Sequence, residues 1–334
     1  MRCAHGHDYD GVWGGRLNAE QPSGVSGRVL VLGGSGMLGH HVREVWGAAA
    51  VDMVIGDIHP QLSDGDVFVD VSSRSSVATI IESSAADVVI NLAALTSLEY
   101  CESHPEEAYA VNTLGPFYVA EVCSRTGRYL VHLSTAGVFD GAKDTAYVEC
   151  DPVNPLNVYG KTKLLAELAV EGVLRRNVLI VRTGWMMGGG TKDVKFVGAV
   201  LRQLSCGARA LMAVGDKVGS PTFAGDLARA LLTLTASRET GLRHVASMGV
   251  ASRYDVLVAL LDELELENSV AATEVTSETL QDAFPVLRAS NEALETLYAL
   301  EPVMPHWRLA LKRYVRWLER TGFLPTPLDP GAAK

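Results

Sequence analysis

The sequence has 334 residues, a formal net charge of −10, and 48% hydrophobic against 20% charged residues. A chain of this length and apolar content can build one large α/β domain, or a dinucleotide-binding domain with a smaller lobe. It has no run of the roughly 18 uncharged apolar residues that a membrane helix needs, and no Lys/Arg cluster typical of nucleic-acid binding. We therefore expect neither a membrane nor a nucleic acid as partner.

Residues 1–26 are rich in glycine and polar residues and show no periodicity, which is typical of a disordered leader. The segment lacks the apolar stretch of a secretory signal. Cys3, His5 and His7 could together bind a metal, but we favour the leader interpretation and expect no metal site.

The five cysteines are widely spaced and form no CxxC pair. This spacing argues against a disulfide framework and favours a reducing compartment, so we expect a cytoplasmic protein.

Short apolar runs alternate with helical patterns through the first half of the chain. Such runs are typical of strands buried on both faces, and their alternation with helices indicates an α/β fold with a parallel, doubly wound sheet of the Rossmann type. The predicted strands cover 28–33, 51–56, 66–71, 87–92, 129–134 and 177–182. The predicted helices cover 37–46, 72–84, 105–126 and 155–176.

After residue 182 the alternation becomes looser. Here we predict helices over 194–206, 226–237, 252–265 and 306–321, and short strands over 209–214 and 243–247. The resulting division is a dinucleotide-binding domain over 27–182, with later sheet elements from about 207–247, a smaller C-terminal substrate lobe over 183–206 and 248–322, and a tail over 323–334.

The first predicted strand ends in a turn that contains three regularly placed glycines. Glycine lets the backbone turn tightly and approach a pyrophosphate, and the helix that follows offers unpaired N–H groups and its positive dipole end. Because this turn lies between a strand and a helix, it predicts a dinucleotide site. The residues expected to bind the cofactor here are Gly33, Ser35, Gly36, Met37, Leu38 and Gly39.

Two further strand ends complete the predicted cofactor site. Asp57 ends the second strand, where a carboxylate can accept hydrogen bonds from the adenosine ribose and repels a 2′-phosphate. This leaves NADH and NADPH both open and favours NADH; a turn-forming role is the alternative for Asp57. Leu92, Ala93 and Ala94 follow the fourth strand, where small residues let a cofactor lie across the end of the sheet.

Tyr159 and Lys163 lie four positions apart at the start of a predicted helix, so they share one face, whereas Lys161 lies on another. A tyrosine titrates at about 10, and a nearby ammonium favours its phenolate. We therefore expect Lys163 to lower the pKa of Tyr159 and make it a proton donor near neutral pH. Thr135, after the fifth strand, can hold a substrate carbonyl beside Tyr159, and Asn112 can join a proton relay; both complete the predicted catalytic set.

This order of motifs resembles the extended short-chain dehydrogenases/reductases, and within them the dTDP-4-dehydrorhamnose reductase family. The resemblance implies NAD(P)H-dependent reduction of the 4-keto group of a nucleotide-linked 6-deoxysugar, with Thr135, Tyr159 and Lys163 as the catalytic set. Some members of the family are dimers, so a homodimer is a further expectation. The resemblance spans residues 28–320, and the matching stretches are 33–39, 87–94, 110–117, 132–141, 157–167, 182–188 and 218–226.

The chain departs from the family at Ala136 and Gly137, where members usually have Asp and Tyr facing the sugar. The loss of a carboxylate and a phenol changes the hydrogen bonds offered to the sugar, which favours a 4-keto sugar other than the rhamnose precursor. The residues expected to contact the substrate are Thr135, Ala136, Trp185 and Lys195, with Lys217 as a further basic side chain that can replace the missing groups.

Proteins related to this family have two functions other than reduction. Sugar-nucleotide dehydratases of this superfamily place an Asp-Glu pair after the threonine, and Ala136 and Gly137 supply no such acid or base. The regulatory β subunit of methionine adenosyltransferase is a related protein that binds the cofactor and serves as a partner, so a non-catalytic subunit is the alternative. The intact pair Tyr159 and Lys163 favours an enzyme.

Overall fold

The computed structural model of the chain describes residues 25–61, 65–299 and 304–323. Most of the predicted leader and tail, including Cys3, His5 and His7, lies outside these ranges, so the predictions made for them stay predictions. Within the described ranges, no helix has the length and apolar character needed to cross a membrane.

Seven parallel strands form the main sheet, as the alternating pattern predicts. The strands of the described chain are β1 (Val29–Leu32), β2 (Met53–Asp57), β3 (Val67–Phe68), β4 (Val88–Asn91), β5 (Tyr129–Thr135), β6 (Val178–Thr183), β7 (Met186–Met187), β8 (Ala210–Val214), β9 (Val218–Gly219), β10 (Thr222–Phe223), β11 (Gly241–His244), β12 (Ala251–Ser252), β13 (Ala271–Val275) and β14 (Asn291–Glu292). In the main sheet the order is β11-β6-β5-β4-β1-β2-β3.

Helices cover both faces of this sheet. The helices of the described chain are α1 (Met37–Ala48), α2 (Arg74–Ser83), α3 (Leu98–Ser103), α4 (Pro105–Tyr109), α5 (Gly115–Thr126), α6 (Val158–Leu174), α7 (Phe196–Ser205), α8 (Ala224–Ala236), α9 (Arg253–Glu263) and α10 (Trp307–Thr321). Val29 and Val31 of β1 pack into a core with α1 and α8, whereas Leu30 and Leu32 pack into a second core with α2, α5 and α6. This arrangement confirms the doubly wound fold and explains why its strands are continuous apolar runs.

Two of the differences between the predicted and the observed elements concern the continuity of a helix and the pairing of a strand. The helix predicted over 105–126 consists of α4 and α5, separated by a π-helical turn at Ala110–Leu114. The strand predicted over 209–214 exists as β8, but it pairs with β13 in a separate two-stranded sheet and not with the main one. Of the strands between 207 and 247, β11 alone joins the main sheet, next to β6. An apolar run predicts a strand, but it does not identify the partner.

The C-terminal part of the described chain has its own core, to which α7, α9, α10 and β8 contribute. β14 pairs with β9 in a three-stranded sheet with β12, and this pairing fixes the position of Glu292. The domain boundaries proposed from the sequence stay a prediction.

A buried ion pair joins α6 to the main sheet. Glu167 on α6 accepts hydrogen bonds from Nε and Nη2 of Arg182 on β6, at 2.9 and 2.7 Å, and from the hydroxyl of Ser134 on β5. The side chains of Arg182 and Glu167 are only 4% and 6% exposed. A charge in such a position depends on its partner, because water cannot replace the lost interaction.

We predict that Glu167→Ala lowers the free energy of unfolding by about 3–5 kcal/mol, because it leaves the Arg182 guanidinium buried without its counter-ion. Glu82→Ala is the matched control: Glu82 pairs with Arg125 where both side chains are more than half exposed, and such pairs contribute about 0–1 kcal/mol. Urea unfolding of the two variants measures the difference. Equal losses would contradict the account of this ion pair.

Candidate active site

The strand order reverses between β1 and β4, and the turns that follow these strands lie side by side. Gly33 has a φ of +79°, and a Cβ at this position would lie only 2.5 Å from the backbone nitrogen of Ala93. The predicted residues Leu92, Ala93 and Ala94 therefore lie beside the glycine turn. In doubly wound folds, dinucleotides bind in the crevice at such a reversal.

The glycine turn leads directly into α1 and leaves the start of this helix open. Gly36 precedes α1 and provides no side-chain cap, and the first turn of the helix carries no acidic residue. A Cβ at Gly39 would lie 2.4 Å from the carbonyl oxygen of Gly34, so the third glycine allows the helix to pack against the turn. Leu38 is buried, whereas Met37 is partly exposed. The N-terminus of α1 can therefore bind a phosphate group through its backbone.

Asp57 lies at the end of β2, next to the glycine turn. Its two carboxylate oxygens accept hydrogen bonds from the backbone N–H groups of Ser35 and His59, each at 2.9 Å. The amine of Lys192 donates to the carbonyl oxygen of Ser35 at 3.1 Å, which places a cation at the same turn. Asp57 therefore takes part in this turn, and its contact with the cofactor stays a prediction.

The first turn of α6 lies against the segment that follows β5. A Cβ at Gly160 would lie 2.2 Å from the carbonyl oxygen of Gly137, so a glycine is required for this close approach. The side chain of Asn157 caps the helix by accepting a hydrogen bond from the Gly160 N–H at 2.9 Å. These contacts bring Tyr159 to Thr135, and the two side chains share a hydrogen bond.

Tyr159 is held in its neutral form. Burial raises the pKa of Tyr159 to about 12; the hydrogen bond with Thr135 opposes this change, and the carboxylate of Glu292 adds to it. The sequence predicts a lowered pKa, whereas the pKa of Tyr159 is raised, because burial disfavours the phenolate and is not visible in the sequence. Tyr159 therefore retains its proton at neutral pH, which is the state that a proton donor requires.

Lys163 lies on the buried face of α6 and is 3% exposed, whereas Lys161 is exposed, as its different face predicts. Burial lowers the pKa of Lys163 to about 8, and the carboxylate of Glu167 opposes this change. On β5, burial and the charge of Lys163 hold the pKa of His132 well below its usual value. Lys163 is therefore a poorly hydrated cation beside a neutral imidazole, and a nearby anion would stabilise its charge.

Asn112 is fully buried in the π-helical turn. Its side-chain oxygen accepts a hydrogen bond from the Leu95 N–H at 2.8 Å, and its amide donates to the Leu95 carbonyl at 2.9 Å and to the Thr162 hydroxyl at 3.1 Å. The Thr162 hydroxyl in turn donates to the carbonyl oxygen of Tyr159 at 2.7 Å. Asn112 thus connects the loop after β4 to the first turn of α6, and its part in a proton relay stays a prediction.

Trp185 contacts Glu292 and Arg253, two residues that belong to none of the sequence motifs. Its indole N–H donates to Oε2 of Glu292 at 2.6 Å, and the guanidinium of Arg253 lies 4.4 Å from the centre of its ring. A Cβ at Gly137 would lie 3.7 Å from Oε1 of the same Glu292. No local pattern could have revealed this group, because Glu292 is 107 positions from Trp185 along the chain.

The other predicted substrate contacts have different surroundings. Ala136 is 2% exposed and lies in a short 3₁₀ turn, where its methyl group contributes packing. The amine of Lys195 donates to the carbonyl and hydroxyl oxygens of Thr96, each at 3.0 Å, and Lys217 donates to the carbonyl of Arg288 at 2.9 Å. Both lysines bond to the protein itself, and their contact with a substrate stays a prediction.

Comparison with known proteins gives a consistent result. The family model described as RmlD substrate binding domain matches residues 27–320. A dTDP-4-dehydrorhamnose reductase of Mycobacterium tuberculosis is 36% identical over 298 residues, covering 86% of this chain and 92% of the relative. The spore coat polysaccharide biosynthesis protein SpsK of Bacillus subtilis is 32% identical over 292 residues, covering 86% of this chain and 97% of the relative.

Among solved structures, a dTDP-4-dehydrorhamnose reductase of Clostridium acetobutylicum superimposes with a TM-score of 0.77 at 30% identity, covering 87% of this chain and 99% of that one. The shared fold, the glycine turn and the Tyr159/Lys163 helix agree with this match. The chain belongs to the RmlD substrate binding domain family, within the extended short-chain dehydrogenases/reductases.

Proposed function

We propose that the protein is an NAD(P)H-dependent reductase that converts the 4-keto group of a nucleotide-linked 6-deoxysugar into an alcohol. The observation that carries this proposal is the position of Tyr159, which is protonated at neutral pH and lies beside Thr135 at the same sheet edge as the glycine turn. Relatives named as dTDP-4-dehydrorhamnose reductases support the same reaction class.

In this reaction the bound nicotinamide supplies the hydride, and the residues of the chain orient the carbonyl and deliver a proton. The hydroxyl of Thr135 is oriented by the Gly137 N–H, which donates to it at 3.1 Å, and it can hold the substrate oxygen. Tyr159 transfers its proton to that oxygen as negative charge develops there. A pKa of about 12 keeps the phenol protonated until the substrate oxygen becomes more basic than the phenolate.

Lys163 stabilises the product of this proton transfer. A buried phenolate is costly unless an opposite charge is nearby, and the Lys163 ammonium is available on the same face of α6. Once the phenolate forms, its negative charge favours the charged form of Lys163, and the ammonium offsets part of the cost of a buried phenolate. This mutual stabilisation requires that Lys163 carry its proton when catalysis begins.

The cofactor is NAD(P)H, and the preference for NADH stays a prediction. The charge of Asp57 disfavours a 2′-phosphate, but both of its oxygens already accept hydrogen bonds from Ser35 and His59. The Lys192 amine at the same turn favours a 2′-phosphate, because it is a cation. Asp57 therefore favours NADH, and Lys192 favours NADPH.

A homodimer and a cytoplasmic location also stay predictions. Three leucines on or next to the helices α5 and α6 are exposed, with Leu114 and Leu165 each 44% and Leu168 57% accessible. An apolar surface of this kind is where a second copy of the chain can pack.

The proposed reaction is tested by offering a panel of nucleotide-linked keto sugars with NADH and with NADPH. We expect cofactor oxidation with at least one 4-keto-6-deoxysugar, and a loss of about 10²- to 10⁴-fold in turnover for Tyr159→Phe, because only the proton donor is removed. Tyr118→Phe is the matched control, since Tyr118 lies on α5, where the guanidinium of Arg74 covers its ring. A non-catalytic subunit would bind the cofactor and oxidise it with no sugar of the panel.

The pH dependence of kcat/KM for the cofactor provides a second test, because this quantity reports ionisations of the free enzyme. Burial lowers the pKa of Lys163 to about 8, so its ammonium is present below that pH and is lost above it. We expect kcat/KM to fall about tenfold per pH unit beyond pH 8.

In Lys163→Arg the guanidinium keeps its charge, so the remaining activity should stay level through this range. Lys161→Arg, on the exposed face of the same helix, should retain the wild-type profile. An unchanged fall in Lys163→Arg would show that another group controls the profile.

A further inference from the structure

We propose that Glu292 determines substrate specificity, by accepting a hydrogen bond from a sugar hydroxyl group on the carbon next to the reacting carbonyl. This inference rests on the proposed function, because it assumes that a keto sugar lies against Thr135 and Tyr159. It assigns a role to a residue that the sequence motifs do not contain.

The carboxylate of Glu292 lies next to the expected position of the substrate carbonyl. Gly137 has no side chain, and the point that its Cβ would occupy is 3.4 Å from Oγ1 of Thr135 and 3.7 Å from Oε1 of Glu292. The Thr135 hydroxyl, which is expected to hold the carbonyl, and the Glu292 carboxylate therefore border the same small space. A substrate whose carbonyl oxygen bonds to Thr135 places the hydroxyl of the adjacent carbon within reach of Glu292.

One carboxylate oxygen of Glu292 is available to a ligand. Oε2 accepts the indole N–H of Trp185 at 2.6 Å, whereas Oε1, within the described part of the chain, accepts no hydrogen bond from the protein. Arg253 interacts with Glu292 electrostatically, but no hydrogen bond joins the two side chains in the described structure. Glu292 thus presents a charged acceptor towards the space at Gly137.

The carboxylate of Glu292 is held rigidly. Glu292 lies in β14, which pairs with Gly219 of β9, and a Cβ at Gly219 would lie 2.5 Å from the ring of Trp185. The preceding residue, Asn291, is buried and donates hydrogen bonds to the carbonyl oxygens of Lys143 and Thr145, at 2.8 and 2.9 Å. A preorganised acceptor discriminates between substrates because it loses little entropy on binding.

The carboxylate of Glu292 lies close enough to Tyr159 to affect its pKa. The charge of Glu292 contributes to the raised pKa of Tyr159. Members of the family usually have a carboxylate and a phenol at positions 136 and 137, whereas this chain has Ala136 and Gly137. Glu292 supplies a carboxylate on that side of the site from β14 and not from the segment after β5. The sugar that fits is one with a free hydroxyl next to the keto group.

The test compares Glu292→Gln with the wild type on two substrates: a nucleotide-linked 4-keto-6-deoxysugar that carries a C3 hydroxyl, and its 3-deoxy analogue. We expect the wild type to prefer the hydroxylated sugar about 10- to 100-fold in kcat/KM, as for a charge-assisted hydrogen bond. Glu292→Gln should reduce this preference to about threefold or less, whatever its effect on overall turnover, because the two sugars are compared within the same protein. Glu295→Gln, an exposed neighbour, should keep the full preference.

Calorimetric titration with the corresponding alcohols, with and without the C3 hydroxyl, separates this inference from the proposed function. If no keto sugar is reduced but Glu292→Gln removes the discrimination in Kd, the inference holds and the reductase assignment fails. If keto sugars are reduced and both proteins discriminate equally, the role of Glu292 is overturned and the reductase assignment remains. Failure of the wild type to bind or distinguish either alcohol also overturns the inference.

Discussion

The first turn of α6 can lie against the segment after β5 only because Gly160 has no side chain, since a Cβ there would be 2.2 Å from the carbonyl oxygen of Gly137. This contact places Tyr159 beside Thr135, and Lys163 follows one helical turn later on the buried face of α6. The glycine at 137 has a second consequence, because it leaves room in front of Glu292. Two glycines thus set the distance between helix and strand and the shape of the site between them.

Burial then determines the charge states that this geometry provides. It raises the pKa of Tyr159 to about 12 and lowers that of Lys163 to about 8, so the proton donor is neutral and the cation is weakly hydrated. The ion pair of Glu167 with Arg182 joins α6 to the sheet one helical turn after Lys163. Stability and catalysis therefore depend on the same helix, and a change on its buried face affects both.

The sequence predicts those features that depend on local spacing. The strands of the main sheet are recognisable because both faces are covered, and Tyr159 and Lys163 because residues four apart share a helix face. Features that depend on tertiary contacts were not predictable. The pairing of β8 with β13 and the contact between Trp185 and Glu292 join distant parts of the chain. The direction of the Tyr159 pKa change depends on burial, which the motif does not encode.

The central claim is that a hydride moves from the cofactor to the carbonyl carbon of a sugar held at Thr135 and Tyr159. It is tested most directly with NAD(P)H that carries deuterium at both positions of nicotinamide C4, followed by NMR of the sugar product. The account predicts one deuterium on the former carbonyl carbon, in a product that is an alcohol at C4. An alcohol product without deuterium at C4, or deuterium at another carbon, would contradict it.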